Sequence, residues 1–138
     1  MAVVMANLRS LVVNAVDLSD HVQLCVVTMN AEQLDGTAMG QESRAWVAGL
    51  RDDHIEVTFF QDYAAAKVDA TLNALVGGAA VTIVAKPTNA AVSATNPSYT
   101  MSGSPFDYQP ITGTVGELAT VDVTFLPAPG SKITRAIA

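Results

Sequence analysis

The sequence predicts a mainly β, single-domain fold with one amphipathic helix, on three observations: two-residue alternation of apolar side chains, one stripe at helical spacing, and turn residues at short intervals. In residues 21–28, Val22, Leu24 and Val26 point one way while His21, Gln23, Cys25 and Val27 point the other. In residues 54–60 the apolar set is Ile55, Val57 and Phe59. Val81, Ile83 and Ala85 alternate with Thr82, Val84 and Lys86, and Val121, Val123 and Phe125 alternate with Asp122 and Thr124. Tyr99, Met101 and Gly103 form a weaker fifth case, and residues 8–16 are strand-like without clean alternation, as in a strand covered on both faces.

The helix is expected over residues 64–76, where Val68, Leu72, Leu75 and Val76 fall at i, i+4, i+7 and i+8. Asp62 can cap its start and Gly77-Gly78 its end. Such a helix covers a sheet face or edge that would otherwise lie open. Between elements lie Asp35-Gly36, residues 49–53, Lys86-Pro87, Asn96-Pro97, Pro105, Pro110 and Gly113, none of them linker-like, so residues 1–138 read as one domain. Residues 35–43 and 88–97 are the longest irregular stretches, and 127–138, with Pro-Ala-Pro-Gly, reads as an extended or mobile C-terminal arm.

Half of the residues are apolar but only 14% are charged, against about a quarter in an average soluble protein. Mean hydropathy is +0.33. Two explanations fit: a stable β domain with a Thr/Ser/Asn-rich surface, or surface hidden between subunits. Thirteen acidic residues against seven basic ones leave a net charge of −6, so nothing marks a grip on phosphate or an anionic membrane. A conduit that must not hold a polyanion has the same sign of charge. The start of the chain, Met1 to Arg9, carries its charge after its apolar stretch, which argues against a leader peptide. No run of about 18 apolar residues predicts a membrane span.

Reactive chemistry finds little support. Cys25 is single and reads as an apolar filler. His21 and His54 begin strands with no Ser or Cys in a nucleophile-like setting, Asp52-Asp53 lies in a turn where acids are ordinary solvated punctuation, and Gly77-Gly78 follows a helix instead of opening one. Trp46, beside Ala45, Val47 and Leu50, reads as an anchor in the core or at a subunit interface rather than a ligand platform. No catalytic, metal or cofactor site is expected.

Several segments, in order, resemble the major tail proteins (tail tube proteins) of long-tailed bacteriophages with non-contractile tails. They are Val16-Asp17-Leu18-Ser19-Asp20-His21-Val22, the acidic turns at 31–39, Ala48-Gly49-Leu50-Arg51-Asp52 running into Ile55-Glu56-Val57-Thr58-Phe59-Phe60-Gln61-Asp62, the helix at 65–75, Asn96-Pro97-Ser98-Tyr99, and Gly113-Thr114-Val115-Gly116-Glu117-Leu118-Ala119-Thr120. The resemblance spans most of the chain and rests on order rather than on one specific motif. It implies a β-sandwich or half-barrel with a flanking helix, whose subunits join into rings, usually hexamers, that stack into a tube for DNA ejection into the host. The loop that would reach the next ring matches Asp35, Gly36, Thr37, Ala38, Met39, Gly40, Gln41, Glu42 and Ser43. Glu32, Asp35, Glu42 and Glu56 are the candidate lumen-facing acids, beside which DNA would pass without sticking. The implied partners are further copies of the chain and other tail proteins (tape measure, terminator, distal tail), with no membrane and no cofactor. The implied location is the virion, after assembly in the host cytoplasm.

Two alternatives remain at this level. One is another virion component: a tail terminator, a distal tail subunit or a head decoration protein. The other is a β-sandwich module binding sugar or protein through Trp46 and the loop 88–97.

Overall fold

A computed structural model describes residues 10–138. The N-terminal stretch read for a leader, with the Leu8 and Arg9 start of the first expected strand, lies outside the described residues. Ten strands and one helix follow: β1 (Ser10–Val13), β2 (Val16–Asp17), β3 (Val22–Thr28), β4 (Ala31–Asp35), β5 (Trp46–Arg51), β6 (His54–Phe60), α1 (Val68–Asn73), β7 (Val81–Lys86), β8 (Ser98–Pro105), β9 (Thr120–Pro127) and β10 (Thr134–Ala136). Eight of the strands form one antiparallel sheet in the order β2-β1-β7-β8-β9-β6-β3, with β10 also paired to β8. β4 and β5 form a separate two-stranded sheet.

The alternating segments behave as the pattern requires. Ile55, Val57 and Phe59 of β6 are buried beside Val121, Val123 and Phe125 of β9, and Ile83, Ala85 and Met101 fill the other half of the sheet. Both halves contribute to one hydrophobic cluster with Leu11, Val13, Leu18 and Ile133, so the sheet curls over a single core. β8 makes this possible because it serves both halves, pairing with β7 over Val81–Gly103 to Ala85–Tyr99 and with β9 over Gly103–Pro127 to Pro105–Phe125. At the crossing, a Cβ on Gly103 would stand 2.1 Å from the Leu126 carbonyl oxygen, so the close approach of the strands requires glycine.

Three elements differ from their sequence-based expectation. The strand expected over 8–16 is a hairpin, turned by Asn14 and Ala15, both at positive φ (50° and 64°), as a two-residue type I′ connection demands. In β3 the register shifts between Val22 and Leu24, so Val22, Cys25 and Val27 pack toward the core while Leu24 and Val26 face outward. Helix α1 is shorter than 64–76. Asp62 accepts a hydrogen bond from the Ala64 N–H (2.9 Å) in a local turn, and Ala66 is left-handed (φ 60°), which delays the helix to Val68. Its stripe of Val68, Leu72 and Leu75 enters the core, but Val76 is exposed.

The C-terminal segment 127–138 is tied to the sheet over part of its length. Ile133 is buried in the core, and β10 pairs with the first half of β8. Loop 88–97 is organised from within by Asn96. Its side chain accepts from the Thr88 N–H (3.1 Å) and donates to the Ala90 (2.9 Å) and Ala91 (3.2 Å) carbonyls, so its polar groups are spent on the loop itself.

Candidate assembly surface

Residues 29–53 form the most conspicuous surface feature. β3 and β6 are paired neighbours, and the chain between them leaves the main sheet as the β4–β5 hairpin, every residue of which is exposed or half-buried. Leu34 pairs with Val47 on one face and Asp35 with Trp46 on the other, so apolar groups lie on both faces. Trp46 is 56% exposed and Leu50 80%. In the isolated chain Trp46 therefore anchors no core. The alternation here is unlike that of a half-buried strand, and a two-stranded ribbon is marginal in water by itself.

The tip connecting β4 to β5 holds its own shape. Asp35 accepts the Thr37 N–H (3.0 Å) and pairs with the Arg44 guanidinium; Thr37 Oγ1 accepts the Ala45 N–H (2.8 Å), and Gln41 Oε1 accepts the Ala38 N–H (2.6 Å). Hydrogen bonds from Thr37 first, then from Arg44, hold the Asp35 carboxyl below the usual carboxylate range. Met39 stands fully exposed at this tip.

Asp53 fixes the base of the hairpin. Expected to be a solvated turn acid, it is 1% exposed, and its carboxylate accepts from Arg51 Nε (3.0 Å) and Nη2 (2.6 Å), the Asn30 N–H (2.9 Å) and the Ile133 N–H (2.9 Å). Burial alone would raise its pKa; the Arg51 guanidinium and the two backbone donors outweigh that and hold it below the ordinary value. Both ends of the projecting hairpin and the C-terminal segment thus meet at one carboxylate. The sequence signal for this was slight: an Arg-Asp-Asp-His turn resembles any charged loop.

Of the four candidate lumen acids, Glu32 and Asp35 lie on β4 and Glu42 in the tip, whereas Glu56 stands apart on the outward face of β6. There Glu56 faces Val26 and Thr124 across the ladders, 3.3 Å from His54 Nε2. Thr58 donates to Asp122 Oδ1 (2.7 Å) on the same face, an acid that sequence reasoning had not singled out although it alternates with Val121 and Val123. Across β3, β6 and β9 this face presents Leu24, Val26, Glu56, Thr58, Asp122 and Thr124 and carries no Lys or Arg among the described residues.

The two histidines are structural in setting. His21 lies between two carboxylates, Nδ1 2.7 Å from Asp20 and Nε2 2.7 Å from Asp62, which ties the turn before β3 to the segment after β6. Burial alone would lower its pKa, but the two acids raise it above the ordinary value. Among the described residues no group of three His, Cys, Asp or Glu side chains could hold a metal ion, and no helix is long and apolar enough to cross a membrane.

This architecture is that of tail tube and tube-terminator subunits of phage-like particles. A chain of the anti-feeding prophage cap, described as the tube-terminating cap, superposes with a TM-score of 0.72 at 14% identity, covering 100% of this chain and 93% of that one. A chain of the SPP1 tail tube gives 0.67 at 12% identity, covering 99% and 81%. A chain of the tail of an empty gene transfer agent particle, refined with C6 symmetry, gives 0.63 at 15% identity, covering 83% and 82%. No protein-family model and no curated protein sequence matches. At these identities the likeness is one of fold.

Proposed function

We propose that the protein is a structural subunit of a phage tail tube that assembles with copies of itself into rings, six to a ring, and that the rings stack into a conduit for DNA ejection. The observation that carries this reading is the β4–β5 hairpin: in a fold shared with tube subunits, a ribbon apolar on both faces projects from the sheet with nothing among the described residues to cover it. Low total charge fits a surface consumed by contacts, with the free edges of β3 and β2 paired to neighbours. The hairpin with its tip 35–43 is the inter-ring element. We assign the outward face of β3, β6 and β9 to the lumen, where Glu56 and Asp122 keep phosphates from adhering, and leave Glu32, Asp35 and Glu42 to the hairpin's own surroundings. Tape measure, terminator and distal tail proteins are the partners at the ends of such a tube, assembled in the host cytoplasm and carried in the virion. The role is mechanical rather than catalytic.

A terminator is the second reading, favoured by the 0.72 TM-score with a chain of a tube-terminating cap. Negative-stain electron microscopy across a concentration series separates the two. Long hollow tubes of uniform width support the propagating subunit, and isolated closed rings support the terminator. Protein that stays monomeric at every concentration and salt overturns both. Deletion of 35–43 is expected to leave rings but no tubes.

A further inference from the structure

The hairpin has a counterpart at the opposite end of the molecule. It leaves the sheet where β3 ends at Thr28 and β6 begins at His54. At the other end of β6, seven residues or roughly 20 Å away, the loop 106–119 between β8 and β9 is fastened to the residues that follow Phe60. The Gln61 N–H donates to the Ala119 carbonyl (3.0 Å), Gln61 Nε2 donates to Tyr108 (3.0 Å) and to the Pro110 carbonyl (2.7 Å), and the Tyr63 hydroxyl donates to the same carbonyl (2.6 Å). Tyr108 in turn donates to Asp69 (2.8 Å), and burial first, with Asp69 behind it, pushes its pKa up to about 12. The loop is therefore held in place rather than trailing.

This fastened loop shows several large apolar side chains to solvent, beside the exposed acids Asp107 and Glu117. Val115 is fully exposed, Ile111 and Leu118 nearly so, and Tyr63 lies more than half exposed beside the Pro110 anchor. Gly113 (φ 140°) and Gly116 (φ 94°) supply the left-handed turns on either side of Val115. An exposed valine and leucine on an anchored loop gain nothing from the other described residues.

We infer that the loop 106–119 receives the β4–β5 hairpin of a second copy, so that one subunit's Trp46, Val47 and Leu50 pack on the next subunit's Tyr63, Ile111, Val115 and Leu118. Two unlike apolar surfaces at opposite ends of the same strands form a heterologous contact, which propagates in one direction instead of closing a pair. Its size agrees with that geometry. Taking ~200 Å² for an aromatic and ~150 Å² for each aliphatic, scaled by exposure, the hairpin offers roughly 300 Å² and the loop roughly 500 Å² of large apolar side chain; a stable two-body interface needs about 800 Å² per partner. A single contact is too small to hold two free subunits together, whereas the same contact repeated around a ring acts together through effective concentration. Rings therefore form first and stack second.

This inference rests on the self-assembling reading above. The test uses full-length protein. Wild-type protein, Val115→Glu/Leu118→Glu, and an equimolar mixture of Leu50→Cys with Val115→Cys are followed by electron microscopy and non-reducing electrophoresis. We expect the double glutamate variant to fold, to form rings and to show at least a ten-fold loss of tube length. We also expect mild oxidation to cross-link the cysteine mixture into dimers that neither single variant, each still carrying Cys25, forms alone. Wild-type protein that never assembles overturns the self-assembling reading and this inference together. Wild-type tubes with unaltered tubes from the glutamate variant and no mixture-specific cross-link overturn the inference alone.

Discussion

Replacing Asp53 by alanine tests whether one buried carboxylate holds the hairpin to the body of the subunit. The change leaves the Ile133 and Asn30 N–H groups without their acceptor and strips the Arg51 guanidinium of both of its bonds. An orphaned buried N–H costs about 1–3 kcal/mol, and breaking a buried charge pair by removing one partner costs about 3–5 kcal/mol in all. For a domain of this size that corresponds to a fall in Tm of about 9–15 °C, at about 3 °C per kcal/mol. Thermal unfolding followed by circular dichroism reads it, and amide hydrogen exchange should show the Ile133 N–H losing protection ahead of the β6 core. Asp52→Ala, one residue away and exposed, is the control, with an expected change within about 0.5 kcal/mol. A shift for Asp53→Ala no larger than that control would falsify the anchoring argument. The pH dependence has a fixed sign. Because the folded pKa of Asp53 is depressed, its contribution is present above the unfolded value of about 3.9 and is lost as pH falls through the folded one.

His21 has the opposite sign: its folded pKa is raised, so its stabilisation is complete below about 6.5 and fades as pH rises through the folded value. The difference in urea midpoint between wild type and His21→Gln should therefore shrink from pH 6 to pH 9, and a difference that grows instead counts against the Asp20–His21–Asp62 tie. Gly103→Ala forces a methyl against the Leu126 carbonyl and should destabilise by about 3 kcal/mol or more, with β8–β9 pairing lost first in hydrogen exchange; a Tm within 2 °C of wild type would contradict the close crossing. Leu72→Ala should cost about 2–5 kcal/mol by equilibrium unfolding, since the side chain is wholly buried in the core. On the outward face, Glu56→Lys/Asp122→Lys should leave folding and tube formation intact while making tubes retain DNA in co-sedimentation, steeply so at low salt. Unchanged DNA retention would remove that face from the lumen.

How legible the fold was depended on how many faces each segment buries. β6 and β9 hide one face and show the other, so Ile55-Val57-Phe59 and Val121-Val123-Phe125 could be read directly from their alternation. β3 is apolar at both parities, and the register shift after Val22 decides which set turns inward; no local pattern announces that shift. β4 and β5 bury neither face against the other described residues, so they carry no alternation to detect, and their apolar residues were visible only as composition. The proposal that 35–43 is a stacking segment rests on a likeness to a family, while the strands that carry that segment, the Asp53 anchor and the apolar loop at the far end needed coordinates. Asp62 illustrates a local competition: the sequence offers it as a helix cap, and its side chain does take a nearby N–H, but of Ala64, in a turn that precedes the helix.

The shared strand β8 also sets a schedule. Pairing of β1 with β2 and of β3 with β6 involves segments that leave the ribosome early, but among the described residues the two halves of the sheet pair strand to strand only through residues 98–105 and the β9 partner that follows at 120–127. A nascent chain therefore lacks the strand pairing that joins the two halves until nearly all of it has been synthesised, because contacts of high sequence separation form last. The curled body that supports the projecting ribbon, and the loop at its far end, come into being in the same late step. In the proposed assembly, polymerisation is thereby deferred to completed molecules, and a prematurely truncated product lacks the means to join a growing tube.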